Sequence, residues 1–360
     1  MSQKQPDRHL TFFSVGNGNS ALISLSNEQN LLFDLNDSDE NFAVLDYLAS
    51  VLPKEAKKPF LSVYSVSHGD KDHILGTERL LKEFVVGEIW YPNYDRFQME
   101  GKEPPEDYSK LHDEIERRRK AMQRGSKRVG DLAYDLTAMD QIDTVCATSA
   151  GDFVVRVLSP YRKDEGEEEF DINDMSAVLN VEVSGMRWLF AGDAGARTWI
   201  ERIITHLLAK NDYRDWARAD ILIAAHHGSH TFFDEDREVA RENPSNCLLL
   251  KERILPNRIL VSSNARFPMK DGPQQPPPHY AAYKWYRQYL LDNNLCSREE
   301  QHPFLYTCDG NIRFELRDRE WELVEGWEPD KGGDKGGGGS SKAAYTPVIG
   351  VGEHAPRKFA

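Results

Sequence analysis

Four potential metal ligands lie in one short segment of the chain. Residues 67–73, with the sequence SHGDKDH, contribute His68, Asp70, Asp72 and His73. The segment follows an apolar stretch that predicts a β-strand, and a helical pattern of apolar residues follows it. A turn at a strand end can aim such closely spaced side chains into one cavity. Imidazoles and carboxylates together are ligands for zinc or manganese, so the spacing predicts a catalytic metal site.

Two further predicted strand ends carry the same kinds of side chain. Asp193 follows an apolar segment and a glycine in the sequence FAGDA, and another apolar segment leads into AHHGSH, which contains His226, His227 and His230. Each of these segments alone is a common type of turn. Three separate strand ends that all deliver ligands are far more specific, and we expect them to meet at one site.

The elements that must position these residues follow from the apolar periodicity. Short strands with glycine-rich turns fill the first part of the chain, and strands alternate with helices after it. Residues 1–330 are interpreted as one hydrolase domain, with a polar, helical and basic insertion at residues 95–140. Residues 331–342 are a glycine-rich linker, and residues 343–360 form a short tail that we expect to be flexible.

Composition narrows the class of protein. The 360 residues carry a net charge of −14, which argues against a protein that coats DNA through bulk positive charge. Neither an apolar run of 18 residues nor a signal-peptide pattern occurs, so we expect no membrane segment. Four cysteines lie far apart and form no CxxC motif, which predicts reduced thiols and a cytoplasmic location.

One local patch departs from the acidic average. Seven cations occur within twelve residues, namely Arg117, Arg118, Arg119, Lys120, Arg124, Lys127 and Arg128. One interpretation is a clamp for a polyanion backbone, with DNA or RNA as the substrate. The alternative is a solvated helix face on which these cations pair with Asp113, Glu114 and Glu116.

The order of the motifs HxDxDH, GDA and HHGS resembles the metallo-β-lactamase superfamily. More narrowly, it resembles the hydrolase domain of the bacterial competence DNA-uptake channel (ComEC-type). The likeness covers roughly residues 8–318. It includes SVGNGNS at residues 14–20, LFD ending at Asp34, NDMS at residues 173–176, SNARF at residues 263–267 with the later His279, and TCDG at residues 307–310.

This resemblance implies a fold and a ligand set. The fold is an α/β (α+β) sandwich of αββα type, in which two mixed sheets carry the metals at one edge. By motif position the metal ligands are His68, Asp70, Asp72, His73, Asp193 and either His226 or His227. We favour His226 because it is closer to the strand. Asp193 would bridge the metals, and we expect one to two Zn²⁺ or Mn²⁺ ions per chain.

The chain departs from the superfamily pattern in two places. Asp70 replaces the more common histidine, which makes the site harder and Mn²⁺ as plausible as Zn²⁺. The usual middle histidine has no counterpart, because no histidine occurs between His112 and His206. Asn173 or Asp174 would partly fill that position, and one of the two metals would then bind weakly.

The resemblance also implies roles in catalysis. Two cations bridged by Asp193 and a water molecule would yield a hydroxide near neutral pH, with Asp72 as ligand and orienting base. A leaving oxygen could be protonated, or a phosphate oxygen held, by His227, His230 or His279. Lys71 and Ser229 are predicted to contact an anionic substrate.

These inferences predict a cytoplasmic metal-dependent hydrolase. The reaction we expect is phosphodiester hydrolysis, with nuclease activity as its narrower form. The first alternative is a hydrolase of lactones, thioesters or lactams in the same fold. The second is a non-catalytic, metal-stabilised interaction module that binds a protein partner through its C-terminal tail.

Overall fold

Two mixed β-sheets packed face to face form the framework of the protein. A computed structural model describes residues 8–92, 106–146, 148–149, 151–161, 173–209, 213–244, 246–270, 272, 275–329 and 344–347. The predicted linker at residues 331–342, residues 95–105 of the predicted insertion and most of the tail lie outside this range. No helix in the described part of the chain has the length and apolar character that crossing a membrane requires.

The strands and helices alternate along most of the chain. The strands are β1 (His9–Phe12), β2 (Ala21–Ser24), β3 (Asn30–Phe33), β4 (Leu35–Asn36), β5 (Lys54–Glu55), β6 (Lys58–Ser65), β7 (Val85–Pro92), β8 (Leu132–Leu136), β9 (Gln141–Ile142), β10 (Thr144–Val145), β11 (Thr148–Ser149), β12 (Phe153–Ser159), β13 (Val178–Val183), β14 (Met186–Phe190), β15 (Ile221–Ile223), β16 (Arg258–Val261), β17 (Leu305–Tyr306), β18 (Ile312–Arg317), β19 (Glu320–Glu325) and β20 (Ala344–Pro347). The α-helices are α1 (Val44–Val51), α2 (Lys71–Ile74), α3 (Thr77–Glu83), α4 (Glu106–Gln123), α5 (Thr205–Ala209), α6 (Arg237–Glu242), α7 (Cys247–Leu249) and α8 (Tyr280–Asp292).

The first sheet has the strand order β20-β19-β18-β1-β2-β3-β6-β7-β8, with β5 paired to β6. Its half from β20 to β3 is antiparallel, as expected for a meander joined by tight turns. From β3 to β8 the pairs are parallel, and helices connect successive strands across one face. Parallel pairing brings the carboxyl ends of β3, β6 and β7 to the same edge.

The second sheet has the order β17-β16-β15-β14-β13-β12-β9. Strands β12, β13 and β14 are antiparallel, and β14 to β17 are parallel. The register sets Phe190 beside Ile223 and Ile223 beside Leu260. The turns after β14, β15 and β16 therefore leave the sheet at the same level.

Apolar side chains fill three layers. One cluster lies between the two sheets, where the rings of Phe33 and Phe190 stack with centroids 4.8 Å apart. A second cluster joins the first sheet to the helices that cover it, and a third joins the second sheet to its own helices. Alternating strand residues point to opposite faces, so each sheet contributes side chains to two of these clusters. The predicted αββα sandwich is confirmed.

Helix α4 belongs to the first sheet. It connects β7 to the parallel strand β8, and it buries Tyr108, Leu111, Ile115 and Arg118 on one face. The spacing of these buried residues follows the helical period. The segment predicted to be an insertion at residues 95–140 thus includes a crossover that extends the sheet by one strand.

The structure corrects the assignment of Arg118 to a polyanion clamp. Its side chain is 3% exposed, and its guanidinium donates to the carbonyl oxygens of Val86, Gly87 and Leu132. It also pairs with Glu114 at 2.7 Å. A guanidinium can donate five hydrogen bonds in a fixed fork, which suits a position where several strand-end carbonyls converge.

The neighbouring cations are partly neutralised. Arg117 pairs with Glu114 and Asp131, and both Arg119 and Lys120 lie within 4.0 Å of Glu116. The solvated helix face is therefore the better interpretation of Arg117, Arg119 and Lys120. Arg124, Lys127 and Arg128 are exposed, and in the described part of the chain no ion pair involves them.

The basic residues lie toward the amino end of β7, away from the ligand-bearing edge of the sheet. Arg118 contacts Gly87, which precedes Trp90 by three residues, and Trp90 is the register partner of Ser65 at the end of β6. At about 3.3 Å per residue, roughly 10 Å of strand separates the guanidinium's contact from that edge. The remaining cations follow α4 further from the edge.

A short part of the tail joins the first sheet. Strand β20 pairs antiparallel with β19, with Tyr345 opposite Val324 and Thr346 opposite Leu323. These four residues thereby extend the edge of the first sheet beyond β19. Whether the tail also binds a protein partner stays a prediction.

The burial of Arg118 yields a stability prediction. Arg118→Ala should lower the free energy of unfolding by about 2–4 kcal/mol, because Glu114 loses a partner and three carbonyl oxygens lose a donor. Lys120→Ala, on the same helix and largely exposed, should leave the midpoint of guanidinium unfolding nearly unchanged. Equal midpoints for the two variants would contradict the structural role.

Candidate metal centre

The first ligand turn leaves β6 and enters α2. Asp70 stands at the N-cap of α2 in an extended conformation, and the backbone N–H of His73 donates to its carbonyl at 3.0 Å. This change from strand to helix turns His68, Asp72 and His73 toward the gap between the sheets. His68 and His73 are buried, while Asp70 and Asp72 are about one-third exposed.

Asp193 lies at the middle of the cluster. One of its carboxylate oxygens, Oδ1, is 3.3 Å from His73 Nε2. The other, Oδ2, is 3.6 Å from His226 Nε2 and 3.8 Å from Nε2 of both His68 and His227. The carboxylate is 4% exposed. The structure therefore brings four imidazoles from two turns around one buried carboxylate that a third turn supplies.

The remaining carboxylates divide these ligands into two groups. Asp70 Oδ2 lies 3.7 Å from His68 Nε2, on the side that His226 also faces. Asp72 Oδ2 lies 3.1 Å from His227 Nε2 and 4.0 Å from His73 Nε2. Asp193 faces both groups, so one carboxylate could bridge two cations.

The donor set fits divalent cations. Ligand atoms of His68, His73 and Asp193 lie within 4.8 Å of one another, and so do those of Asp72, His73 and His227. The Nε2 atoms of His68, His73 and His227 are buried without a hydrogen-bond partner. Buried polar atoms are rarely left unpaired, and a metal ion is one of the groups that accepts such lone pairs.

The second ring nitrogen of two histidines is anchored within the protein. His73 Nδ1 is 2.8 Å from Asp34 Oδ2, and His227 Nδ1 is 2.9 Å from the carbonyl oxygen of Ser262. Both partners accept hydrogen bonds only, so each Nδ1 carries a hydrogen, and the neutral ring that binds a metal then has its lone pair at Nε2. This tautomer is the one that a metal ligand requires.

A left-handed backbone delivers the paired histidines. His226 and His227 have φ angles of 47° and 53°, and Gly228 follows at 82°. In a strand their side chains would point to opposite faces, whereas here both Nε2 atoms face Asp193. Such conformations cost energy for non-glycine residues and concentrate at functional sites. Both rings thus face Asp193, and the more deeply buried His227 lies with Asp72 and His73. Which of the two histidines binds metal stays a prediction.

Charge coupling inside the site holds the carboxylates ionised. Burial raises the pKa of Asp72, but the neighbouring His227 and His73 more than offset this and lower it to about 2. Burial also opposes the charge of Asp193, yet imidazoles of His73 and His227, whose own pKa values are raised despite burial by the neighbouring carboxylates, hold the pKa of Asp193 well below the ordinary value when they carry a proton. Burial lowers the pKa of His226, which keeps that ring neutral. The site therefore offers anionic oxygens to a cation.

The turn that lacks the usual middle histidine still supports the centre. Ser176 Oγ accepts a hydrogen bond from the backbone N–H of Asp193 at 3.1 Å. Asn173 Oδ1 is buried without a hydrogen-bond partner, and Asp174 accepts a hydrogen bond from Thr198. A role for Asn173 or Asp174 as a ligand stays a prediction.

Other predicted site residues have different surroundings. His279 Nε2 lies 2.8 Å from the carbonyl oxygen of Gln275, and its Nδ1 accepts from the backbone N–H of His230. These contacts give His279 a structural role at the start of α8. Ser229 Oγ caps the next turn by accepting from Thr231 N–H. Lys71 is exposed beside the ligand turn.

Three residues that contact the histidines of the site were not predicted from the sequence. Ser262 anchors His227, Thr231 Oγ1 lies 3.3 Å from His226 Nδ1, and Ser67 contacts two ring nitrogens. Ser262 acts through its backbone carbonyl, which no residue type reveals. Ser67 and Thr231 stand next to the motifs, so their position in the sequence was the available signal.

Comparison with known proteins shows similarity only to solved structures. No protein-family model matches the chain, and no curated protein matches it. Igni18, described as a novel metallo hydrolase from the hyperthermophilic archaeon Ignicoccus hospitalis KIN4/I, matches with a TM-score of 0.44 and 11% identity. The match covers 86% of this chain and 100% of that chain.

Two further structures match over shorter regions. A protein described as a metal-dependent hydrolase from Parabacteroides distasonis ATCC 8503 has a TM-score of 0.32 and 15% identity, over 60% of this chain and 69% of that chain. ST1585, an archaeal metallo-beta-lactamase superfamily protein from Sulfolobus tokodaii, has a TM-score of 0.28 and 15% identity, over 52% of this chain and 64% of that chain. The ComEC-type resemblance receives no support from these matches. Because the scores and identities are low, the functional assignment depends on the geometry of this chain.

The left-handed turn yields a prediction at Gly228. Gly228→Ala should weaken zinc binding and lower the free energy of unfolding by about 1–3 kcal/mol, because the φ angle disfavours a side chain and the pocket is full. A Cβ there would lie 2.8 Å from the Phe267 ring and 3.1 Å from Pro278.

The matched control for this prediction is Gly130→Ala. Gly130 has a similar φ of +88°, but the nearest atom to its Cβ is 3.9 Å away. The control should show only the backbone cost and unchanged zinc affinity. Equal zinc affinities in both variants would contradict the proposed crowding at the ligand turn.

Metal content tests the site assignment directly. The double variant Asp72→Ala with His73→Ala should abolish loading, because it removes two of the three ligands of one group and a neighbour of Asp193. Metal per chain would be measured by mass spectrometry after dialysis. The control replaces His112 and Asp113, an adjacent His–Asp pair on α4. Full metal content in the Asp72 and His73 variant would show that the ions bind elsewhere.

Proposed function

We propose that this chain is a metal-dependent hydrolase of the metallo-β-lactamase superfamily that cleaves phosphodiesters. The observation that carries the proposal is the position of Asp193, whose carboxylate lies within 3.3–3.8 Å of imidazole nitrogens from both groups of ligands. Each group combines imidazole nitrogens with a further carboxylate, Asp70 on one side and Asp72 on the other. Paired cations bridged by one carboxylate are typical of enzymes that hydrolyse phosphate esters.

The bound cations and the side chains of the protein would have separate roles in the reaction. When bound, the cations would lower the pKa of a coordinated water and polarise the substrate oxygen. The chain fixes the geometry, because Asp34 and the Ser262 carbonyl orient His73 and His227. Asp72 is partly exposed, and its pKa of about 2 keeps it ionised, so it can orient the attacking water by accepting a hydrogen bond from it. This assigns Asp72 to catalysis as well as to metal binding.

The donor set supports a phosphate substrate. Asp70, Asp72 and Asp193 make the centre rich in carboxylate oxygens, which suit Mn²⁺ as well as Zn²⁺. Such cations bind phosphoryl oxygens strongly. Lys71 lies exposed beside these carboxylates, where it could contact an anionic substrate.

The position of the basic residues favours a small diester over a polymer. The cations that follow Arg118 lie toward the opposite end of the parallel strands, and residues 117–120 are largely paired with carboxylates. A nucleic acid held by many phosphates would need cations near the centre that cuts it. Nuclease activity is therefore the narrower proposal, and a small phosphodiester is the first substrate to test.

Hydrolysis of bis(4-nitrophenyl) phosphate with Mn²⁺ or Zn²⁺ tests the proposal. Asp193→Asn should lower kcat/KM by about 10³-fold, because the amide keeps the shape but loses the charge that balances two cations. Asp292→Asn, which changes an exposed carboxylate on α8 paired with Lys251, should keep the parent rate. Equal rates in both variants would refute the role of Asp193.

Parallel assays separate the proposed function from its alternatives. Single- and double-stranded DNA and RNA would be tested across a salt series beside the small diester. Cleavage of a lactone or thioester without cleavage of any diester would favour the other hydrolase class. Metal binding without hydrolysis of any of these substrates would favour the interaction module.

A further inference from the structure

Ser67 lies at the junction of the two ligand groups. Its Oγ is 2.7 Å from Asp34 Oδ2, 3.0 Å from His68 Nδ1 and 3.1 Å from His73 Nδ1. Its backbone N–H also donates to Asp34 Oδ1 at 2.6 Å. One hydroxyl thus contacts an imidazole from each group, since His68 lies beside Asp70 and His73 lies beside Asp72.

The hydrogen atoms in this network can be assigned from the acceptors. Asp34 Oδ2 accepts from His73 Nδ1–H and from the Ser67 hydroxyl, because an ionised carboxylate has no hydrogen to give. With its own hydrogen directed to Asp34, Ser67 Oγ accepts from His68 Nδ1–H. Every donor then has an acceptor, and His68 and His73 both present an unprotonated Nε2 toward Asp193.

We propose that Ser67 is a positioning residue that couples the two metal positions through a single hydroxyl. The inference rests on the proposed function, because it requires that His68 and His73 bind cations. Loss of the hydroxyl would leave His68 Nδ1 without the acceptor that fixes its tautomer and ring orientation. It would also remove the hydroxyl that donates to Asp34, the carboxylate that accepts from His73 Nδ1–H and orients that ring. The affinity of both metal positions would therefore fall together.

The backbone of Ser67 extends this coupling to the second sheet. Its carbonyl accepts from the N–H of Ala177 at 2.8 Å. The preceding residue, Ser176, accepts from the N–H of Asp193. The backbone of Ser67 and that of Asp193 are therefore both hydrogen-bonded to residues 176–177. A displacement of Ser67 would therefore shift the ligands that surround Asp193.

The surroundings of Ser67 permit a conservative replacement. A cavity of about 20 Å³ between the sheets is lined by Ser67, Asp34, Ser65 and apolar neighbours such as Phe33. This space can accept the additional methyl group of a threonine while its hydroxyl keeps the serine position. Ser65 lies two residues earlier on the same strand face and is 2% exposed, but its hydroxyl contacts neither ring nitrogen.

The test compares metal affinity in Ser67→Ala, Ser67→Thr and Ser65→Ala. Zn²⁺ would be titrated in competition with a chromogenic chelator, and the Co²⁺-loaded proteins would be compared by absorption spectroscopy. Ser67→Ala should weaken both binding steps by about 10–100-fold and alter the Co²⁺ spectrum. Ser67→Thr should bind within about threefold of the parent, and Ser65→Ala should match the parent in affinity and spectrum.

The outcomes separate the inference from the proposed function. Parent-like affinity and spectrum in Ser67→Ala would overturn the inference while the metal centre stands. Weakening of one binding step alone would overturn the coupling. Equal loss in the threonine and alanine variants would show that packing, not the hydroxyl, matters. A parent protein that binds no metal would overturn both proposals. If Ser67→Ala does not fold, parent-like binding by Ser67→Val, which fills the threonine volume without a hydroxyl, would refute the inference.

Discussion

The structure depends on keeping the carboxylate of Asp193 ionised in a buried position. A charge removed from water costs several kcal/mol unless charged or polar partners surround it. Four imidazole Nε2 atoms lie within 3.3–3.8 Å of its oxygens, at positions from which they would share a cation with the carboxylate. Those rings come from two turns that are distant in sequence, so the fold must align separate strand ends with high accuracy. The parallel halves of the two sheets provide this alignment, because their strands end at the same level.

Hydrogen bonds join these strand ends to one another as well as to the sheets. Asp34 N–H donates to the carbonyl of Ser65, and His226 N–H donates to the carbonyl of Gly192 beside Asp193. Across the gap, Ser262 Oγ donates to the carbonyl of Gly18. Several of these residues have left-handed backbones, including Asp34 at a φ of 54°. The surrounding bonds hold conformations that the isolated chain would rarely adopt, and they place each ring within reach of the shared carboxylate.

The sequence predicted which residues meet at the site better than it predicted their arrangement. The location of His68, His73 and Asp193 at strand ends followed from apolar periodicity and residue type. The αββα fold came from the resemblance, because periodicity does not define how sheets pack. The inward direction of both His226 and His227 depends on a left-handed turn that the residue types do not encode. Arg118 was misassigned because a run of basic residues gives no sign of which one a sheet buries.

Metal binding and the order of the site are parts of one process. The Nε2 atoms of His68, His73 and His227 are buried without hydrogen-bond partners, and each such atom costs about 1–3 kcal/mol in the folded state. A cation that accepts these lone pairs removes that cost, so its binding free energy contributes to folding. Anchors such as Asp34 fix the rings before the cation arrives and thereby reduce the entropy lost on binding. Because the folded pocket is unfavourable without metal, it favours the binding of a cation. The open side of the pocket then remains available to substrate.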